Sequence, residues 1–446
     1  MPTLAIEIAD AALDAAVGDA LVASSPGIAL LDPAGITVGA AAAASTRLKP
    51  LLVMDRFWSG LSTQPLARAL PEARTPADLA WLHVRQLHAQ AGADADADAV
   101  ILAVPSSWRE AELGLVAGIA RAAGLPLGGI VDSAVAGCAG REAGYRVLHL
   151  DVDLHQSTLV ALEGEQTLVR REVGVATRVG LRALMGAWAQ VVGESMVRRT
   201  RFDPLHQAAS EQALHDALPG WLESVAATGR TEAALDFGGR RFAVELHRDE
   251  CTLAAEAWYT QLADLVATTA RGEPVTLVMT RRAAMLPGLA ERLARAAGSA
   301  PVALPAGAAA FGALAHGSTI RSDGALALVT GLPRSCPAAR PVQPAGGARA
   351  THLVHGGVAH TLEAEPLVIG SDPAAPRMLR LPAQLPGVSR RHCSVLLGAH
   401  GAIVRDHSRH GTFVNGQRVN GDAPLAAGDR LRVGSPGVVF ELVAVN

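Results

Sequence analysis

Lysine is almost missing from this chain. Lys49 stands alone against 38 arginines, a bias of composition rather than of chemistry. An excess of positive charge is missing too: 39 basic residues face 42 acidic ones, for a formal charge of −3. That excludes the basic footprint of a dedicated nucleic-acid binder. Cysteine is sparse. Cys138, Cys251, Cys336 and Cys393 lie too far apart for a zinc knuckle or a redox dithiol, and they do not make a disulfide scaffold. No long apolar run survives inspection. The longest, Leu113 to Cys138, is broken by Arg121, Gly124, Pro126 and Asp132, whereas a membrane span needs about 20 apolar residues in a row. Met1 to Asp10 lacks a basic segment and carries Glu7 and Asp10, so no signal peptide is expected. These absences predict a soluble cytoplasmic protein without membrane insertion. The common catalytic signatures are missing as well: G-x-x-x-x-G-K-[ST], G-x-S-x-G and H-E-x-x-H do not occur.

What is present is a chain of 446 residues, half of them hydrophobic, enough for two to four domains. One stretch changes character. Residues 331–350 read GLPRSCPAARPVQPAGGARA, without periodicity, which is linker composition. The chain divides on this reading into a body over 1–320, a Pro/Ala/Gly-rich linker over 321–350 and a tail over 351–446. The tail holds 9 arginines against 7 acids, and seven of the fifteen histidines.

The body reads as α/β. Short apolar runs at Leu4–Ile8, Val100–Val104, Val147–Asp151 and Val275–Met279 look like buried strands. Alanine-rich helical stretches such as Trp108–Ala123 and Leu181–Val192 follow them. A weak repeat is visible. LAIEI, GIALLDP and GITVG precede one helix; VLHLDV, STLVALEG and TLVRREVG precede another, with Glu7 and Asp151 in equivalent places. This predicts a duplicated fold with a cleft between its halves. The run of Asp94, Asp96 and Asp98 lacks the glycine and glutamate of a calcium loop and reads as a solvated loop.

The order of motifs carries a resemblance. The first acid-bearing strand is followed by VILAVPSSW (100–108), GIVDSAVAG (129–137), LHLDVDLHQST (148–158), VTLVMTRRAAMLPGL (275–289) and GAAAFGALAHG (307–317). This resembles the actin and heat-shock-chaperone ATPase superfamily over roughly 3–318. The resemblance implies a duplicated actin-like, ribonuclease H-like body of two lobes. The family's phosphate turns are rich in glycine; here they read Glu7, Ile8, Ala9 and Asp151, Val152, Asp153, Leu154, His155. Thr280 and Arg281 replace the glycines of its adenosine motif.

Each charge-assisted amide–phosphate bond lost forfeits roughly 1.5–3 kcal/mol. Two or three losses weaken binding about a thousandfold, and Asp153 would add a negative charge beside the phosphates. The expectation is a pseudo-ATPase with no resident cofactor. The alternative, an ATPase or nucleotide switch using Mg-ATP, keeps Glu7, Asp132 and Asp151 around Mg²⁺ and the attacking water. Otherwise Asp151 caps a turn and Glu7 faces solvent at the cleft rim. Lys49 is a surface residue or a phosphate-facing one.

The tail shows short β signals punctuated by turns, the pattern of an all-β sandwich. GVSRRHCSV (387–395), DHSRHGTFVNG (406–416) and LAAGDRLRVGSPG (425–437) resemble a forkhead-associated (FHA) domain. The family binds phosphothreonine peptides through loops at one end of the sandwich. Residue by residue, the resemblance makes Ser371, Ser389, Arg390, Arg391, Arg409, His410 and Thr412 contacts to phosphopeptide or partner. Gly370, His392, Gly411 and Asn415 become loop-shaping residues. Two departures stand out. The family's Gly-Arg is Gly370-Ser371, and its asparagine before Gly-Thr is His410. Arg377, Arg390, Arg391 and Arg409 are available to compensate. His407 and His410 could start a metal site only with a third ligand, and none is expected. The reading is a non-catalytic scaffold whose FHA head takes a protein partner, either phosphorylated by a Ser/Thr kinase or bound without phosphate.

Overall fold

The computed structural model describes residues 3–444 except 93–96, 141–143, 323–325, 335–349, 356–357, 373–374, 383–387, 399–400, 410, 415–416, 420 and 435–437. The chain forms two compact units, residues 1–338 and 339–446.

The first unit is built twice on one plan. Its first sheet contains β1 (Thr3–Glu7), β2 (Leu13–Val17), β3 (Ala20–Ser25), β4 (Ala99–Val104) and β5 (Leu127–Asp132). Its second contains β6 (Arg146–Val152), β7 (Ser157–Glu163), β8 (Thr167–Ala176), β9 (Thr276–Met279) and β10 (Val302–Ala303). In each sheet the leading strand lies in the middle. It pairs antiparallel with the second strand, which pairs antiparallel with the third. On its other side it pairs parallel with the fourth, and the fourth with the fifth. The parallel strands are apolar because helices cover both faces; all six residues of β4 are buried. The two sheets therefore share one strand order.

The sequence misplaced part of the first repeat. GIALLDP and GITVG do not supply its second and third strands. They form a separate three-stranded sheet, Ala29–Asp32 and Gly35–Val38 with Val53–Met54. The true β2 and β3 are alanine- and serine-rich, with Ala15 and Ala16 fully buried. Small side chains pack there without the β-branched signature that marks a strand in sequence.

The expected linker also starts too early. Leu328–Val329 (β11) adds to β5 of the first sheet, and Gly331–Pro333 (β12) adds to β8 of the second. Leu332 is buried. One segment thus completes both halves, because short apolar residues find open sheet edges despite flanking proline and glycine. The remaining linker residues, 335–349, lie outside the described residues, as do Asp94 and Asp96.

Helix Pro76–Ala91 covers the first sheet. Thr75 and Asp78 form a capping box at its start, with proline at its first turn. Helix Ser133–Ala139 packs tightly on helix Ala308–Ala315. Gly312 makes that approach possible, since a Cβ there would overlap the Ala136 carbonyl oxygen. No helix among the described residues is long and apolar enough to cross a membrane.

The second unit is a sandwich of two sheets. One contains Leu367–Gly370, Met378–Arg380, Cys393–Gly398, Gly401–Asp406 and Asp422–Leu425. The other contains His352–His355, Val358–Thr361, Thr412–Val414, Gln417–Arg418, Arg430–Val433 and Val438–Val443. Leu353, Ile369, Val395, Val404, Leu431, Phe440 and Leu442 fill the space between them.

Candidate functional site

Within the first unit, Glu7 ends β1 in one half and Asp151 lies near the end of β6 in the other. Both line a cavity of about 210 Å³ between the halves, with Asp14, Ser24, Ser133, His149 and Thr280. Arg282, from the short helix after β9, projects between the two acids. Its Nη2 is 2.7 Å from Asp151 Oδ2 and 3.5 Å from Glu7 Oε1, and its Nε is 3.2 Å from Asp151 Oδ1. Thr280 Oγ1 donates a further bond to Asp151 at 2.8 Å.

Glu7 is not at a solvent-facing rim. It is buried, and Oε2 accepts the Ala309 amide at 3.0 Å, at the start of helix Ala308–Ala315. The strand that carries it runs into the interior, where the two sheets meet. Burial pushes the Glu7 carboxyl up to about 7 against the pull of Arg282. Burial also acts to raise Asp151, but the charge and hydrogen bonds of Arg282 outweigh it and leave that carboxyl below the usual range.

Asp132, the third expected carboxylate, is spent elsewhere. Oδ1 accepts the Val135 amide at 3.1 Å, capping helix Ser133–Ala139, and the Ser106 hydroxyl at 2.9 Å. Oδ2 accepts from Arg170 Nη1 at 2.8 Å. Asp132 is thus held by Val135, Ser106 and Arg170, and not by Arg282. Lys49 lies on the surface, paired with Asp32.

The two turns that would face phosphates touch each other instead. Asp10 Oδ1 in the first turn accepts the Leu154 amide of the second at 2.6 Å. Asp153 is buried beside them, and that burial, reinforced by the charges of Asp151 and Asp10, pushes its carboxyl well above the usual range.

In the second unit the loops between strands gather most of the expected contacts. Ser389 and Ser371 are adjacent, since the Ser371 amide donates to the Ser389 carbonyl at 3.1 Å. The Arg409 amide points at Ser389 Oγ, 3.4 Å away. Gly370 permits this crossing, because any Cβ would overlap the Arg390 carbonyl oxygen. His392 is buried and joins two loops. Its Nδ1 accepts the Ser389 amide at 3.0 Å, so Nε2 carries the proton and donates to Gly411 O at 3.0 Å. Arg390, Arg391 and Arg409 are exposed. Among the described residues none of the three guanidinium groups has an ion-pair partner.

Other arginines are committed. Arg377 donates to the Glu365 and Thr361 carbonyls, and Arg380 pairs with Asp372 at 2.7 Å. Thr412 is corrected as a partner contact. It is fully buried, and Oγ1 donates to Asp406 at 2.7 Å. Its strand alternation turns the side chain inward, so it shapes the loop rather than meeting a ligand. His410 and Asn415 lie outside the described residues. His407 hydrogen-bonds Ser394, and no metal-holding group of acids, histidines or cysteines occurs among the described residues.

Residues 367–434 match the FHA domain family. The tail carries an FHA domain. FHA domains are β-sandwiches that mediate protein interactions through phosphopeptides, so this unit is an interaction module. The match covers the sandwich and not the first unit. No curated protein matches the chain.

Sequence reasoning missed Arg282. The Arg281-Arg282 pair gave no sign of which guanidinium turns inward; Arg281 instead pairs with Glu223 at 2.9 Å.

Proposed function

We propose that this protein is a non-catalytic adaptor. Its FHA head takes a phosphothreonine-containing protein partner, and its body is a degenerate member of the actin and heat-shock-chaperone superfamily that serves as a platform. The body reading draws support from the duplicated strand order, with a leading strand flanked by an antiparallel meander and two parallel strands in both halves.

The observation that carries the adaptor reading is the loop cluster around Ser389. A hydroxyl held by a backbone amide stands beside exposed arginines that, among the described residues, no carboxylate neutralises. That is the chemistry that meets a phosphate dianion. Ser371, in place of the family's arginine, leaves Arg390 and Arg409 to supply the charge.

The body does not fit Mg-ATP. Arg282 already neutralises Asp151 and faces Glu7, Asp132 is consumed, and the two turns close on each other. The cavity of about 210 Å³ is below the roughly 300–1,000 Å³ of small-molecule sites.

The test is fluorescence polarisation with paired phosphothreonine and unphosphorylated peptide libraries on the full chain. Phosphate-selective binding, weakened at least tenfold by Ser389→Ala with Arg390→Ala, is the expected result. Equal binding of both peptide forms defeats the phosphate-dependent reading.

A further inference from the structure

Among the described residues, every acid of the first half that forms an ion pair with the second half finds an arginine there. Glu7 faces Arg282 at 3.5 Å, Asp132 meets Arg170 at 2.8 Å, and Asp55 meets Arg182 at 2.8 Å with His155 at 3.1 Å. The pattern reverses where Arg47 of the first half meets Glu211 of the second at 3.3 Å. Uncharged ties run alongside. The Arg47 amide donates to Gln212 Oε1 at 2.8 Å, and Gln212 Nε2 returns a bond to the Ala43 carbonyl at 3.2 Å. Of these pairs, Glu7 and Arg282 line the cavity.

Arg282 differs from the others in position. Its side chain is only 15 % exposed, like that of Asp151, and Glu7 is at 8 %. Two buried carboxylates from opposite halves without a cation would repel each other and carry a large desolvation cost. A bound divalent metal is one solution to that problem; a guanidinium from the chain is another. A guanidinium cannot leave, and it is charged at every accessible pH.

We infer that Arg282 is a resident counter-cation that stands in for the metal between Glu7 and Asp151 and ties the two halves of the body shut without any ligand. This rests on the proposed superfamily reading of the body, and it concerns how the cleft is regulated. Nucleotide-driven opening and closing is replaced by a permanent clamp. The body then presents one fixed surface, as a platform should, while recognition is left to the FHA head. The clamp is assembled from the fold's own geometry. The turn after β9 places Arg282, and β1 and β6 bring their acids to the same point because the two halves repeat one plan.

The experiment uses the full chain and divalent cations alone. Thermal unfolding is followed with no added metal and with up to 10 mM Mg²⁺, Ca²⁺ or Mn²⁺. The intact protein is expected to show no shift. Arg282→Ala is expected to lower the midpoint of the body by roughly 4–7 °C and to regain most of it on adding divalent cation. Arg282→Lys, which keeps the charge but loses the forked geometry, is expected between the two and without metal response.

If Arg282→Ala does not fold, hydrogen exchange of the two turns, residues 8–12 and 153–156, decides the matter in the intact protein. Exchange slow and unchanged by Mg-ATP supports the clamp, and rapid exchange overturns it. A rise in the intact protein's midpoint with metal alone would show that a cation displaces Arg282 and would overturn the inference. Stability of Arg282→Ala equal to the intact protein would do the same. A shift with Mg-ATP but not with metal alone would instead count against the non-nucleotide reading of the body, so the two failures are distinguishable.

Discussion

Replacing Asp132 separates a structural acid from a catalytic one. Asp132→Asn keeps an oxygen for the Val135 amide and the Ser106 hydroxyl, so the helix cap survives. What it removes is the charge opposite Arg170, whose side chain is 23 % exposed. Breaking a fully buried pair costs about 3–5 kcal/mol, and an exposed one about 0–1 kcal/mol. Asp132 is fully buried and Arg170 partly wet, so about 2–3 kcal/mol is expected between those limits.

For a unit of this size that is a fall of roughly 3–4 °C in Tm, read by calorimetry on the body transition. Arg170→Met should cost a similar amount, because it strands the buried carboxylate. The double variant should recover part of the loss, giving a coupling of about 1–2 kcal/mol in the cycle. Additive losses, or an unchanged midpoint in Asp132→Asn, would refute the pairing argument. Loss of an ATP turnover with stability intact would return Asp132 to the catalytic role implied by the resemblance.

The remaining predictions follow from burial. His83 is enclosed, accepts from Trp58 Nε1 at 2.9 Å through Nδ1, and donates through Nε2 to Ser25 Oγ at 2.8 Å. Burial lowers its pKa to about 4. The folded value lies below the unfolded one, so the stability is fully present above about pH 6.5 and is lost as pH falls toward 4, to the extent of about 3 kcal/mol. Urea midpoints at pH 7 and pH 4.5 should differ, and His83→Gln should flatten that difference; an unaltered slope would contradict the assignment. In the FHA domain, Gly370→Ala should destabilise the sandwich by about 1–3 kcal/mol and abolish peptide capture, because its Cβ overlaps the Arg390 carbonyl oxygen. Wild-type binding by a folded Gly370→Ala variant would show that the loop crossing is not needed.

Much of the fold was legible because it rests on local apolar pattern. β1, β4, β6 and β9 read as near-continuous hydrophobic runs, and they occur where expected. The FHA strings announced themselves through residues that loops require, such as Gly370 and His392. β2 and β3 were not legible. Alanine and serine fill a crowded interior in the fold but look like helix or loop in sequence. β11 and β12 were hidden for a different reason: two- and three-residue strands carry almost no pattern, and their strandedness comes from open sheet edges built 198 and 164 residues earlier, at Ile130 and Leu168.

The candidate sites divide the same way. The sequence by itself determined that the tail carries the FHA loop strings and that the turns after β1 and β6 are poor in glycine, because both follow from residue types at fixed short spacings. It could not determine what each acid meets. Asp132 faces Arg170 from 38 residues away and Asp151 faces Arg282 from 131 away. Glu7 reaches the amide of Ala309, 302 residues on. Charge compensation depends on distance in space and on burial, and only the tertiary structure sets those. The same carboxylates would mark a metal site with water beside them, and with a buried guanidinium between them they form a clamp.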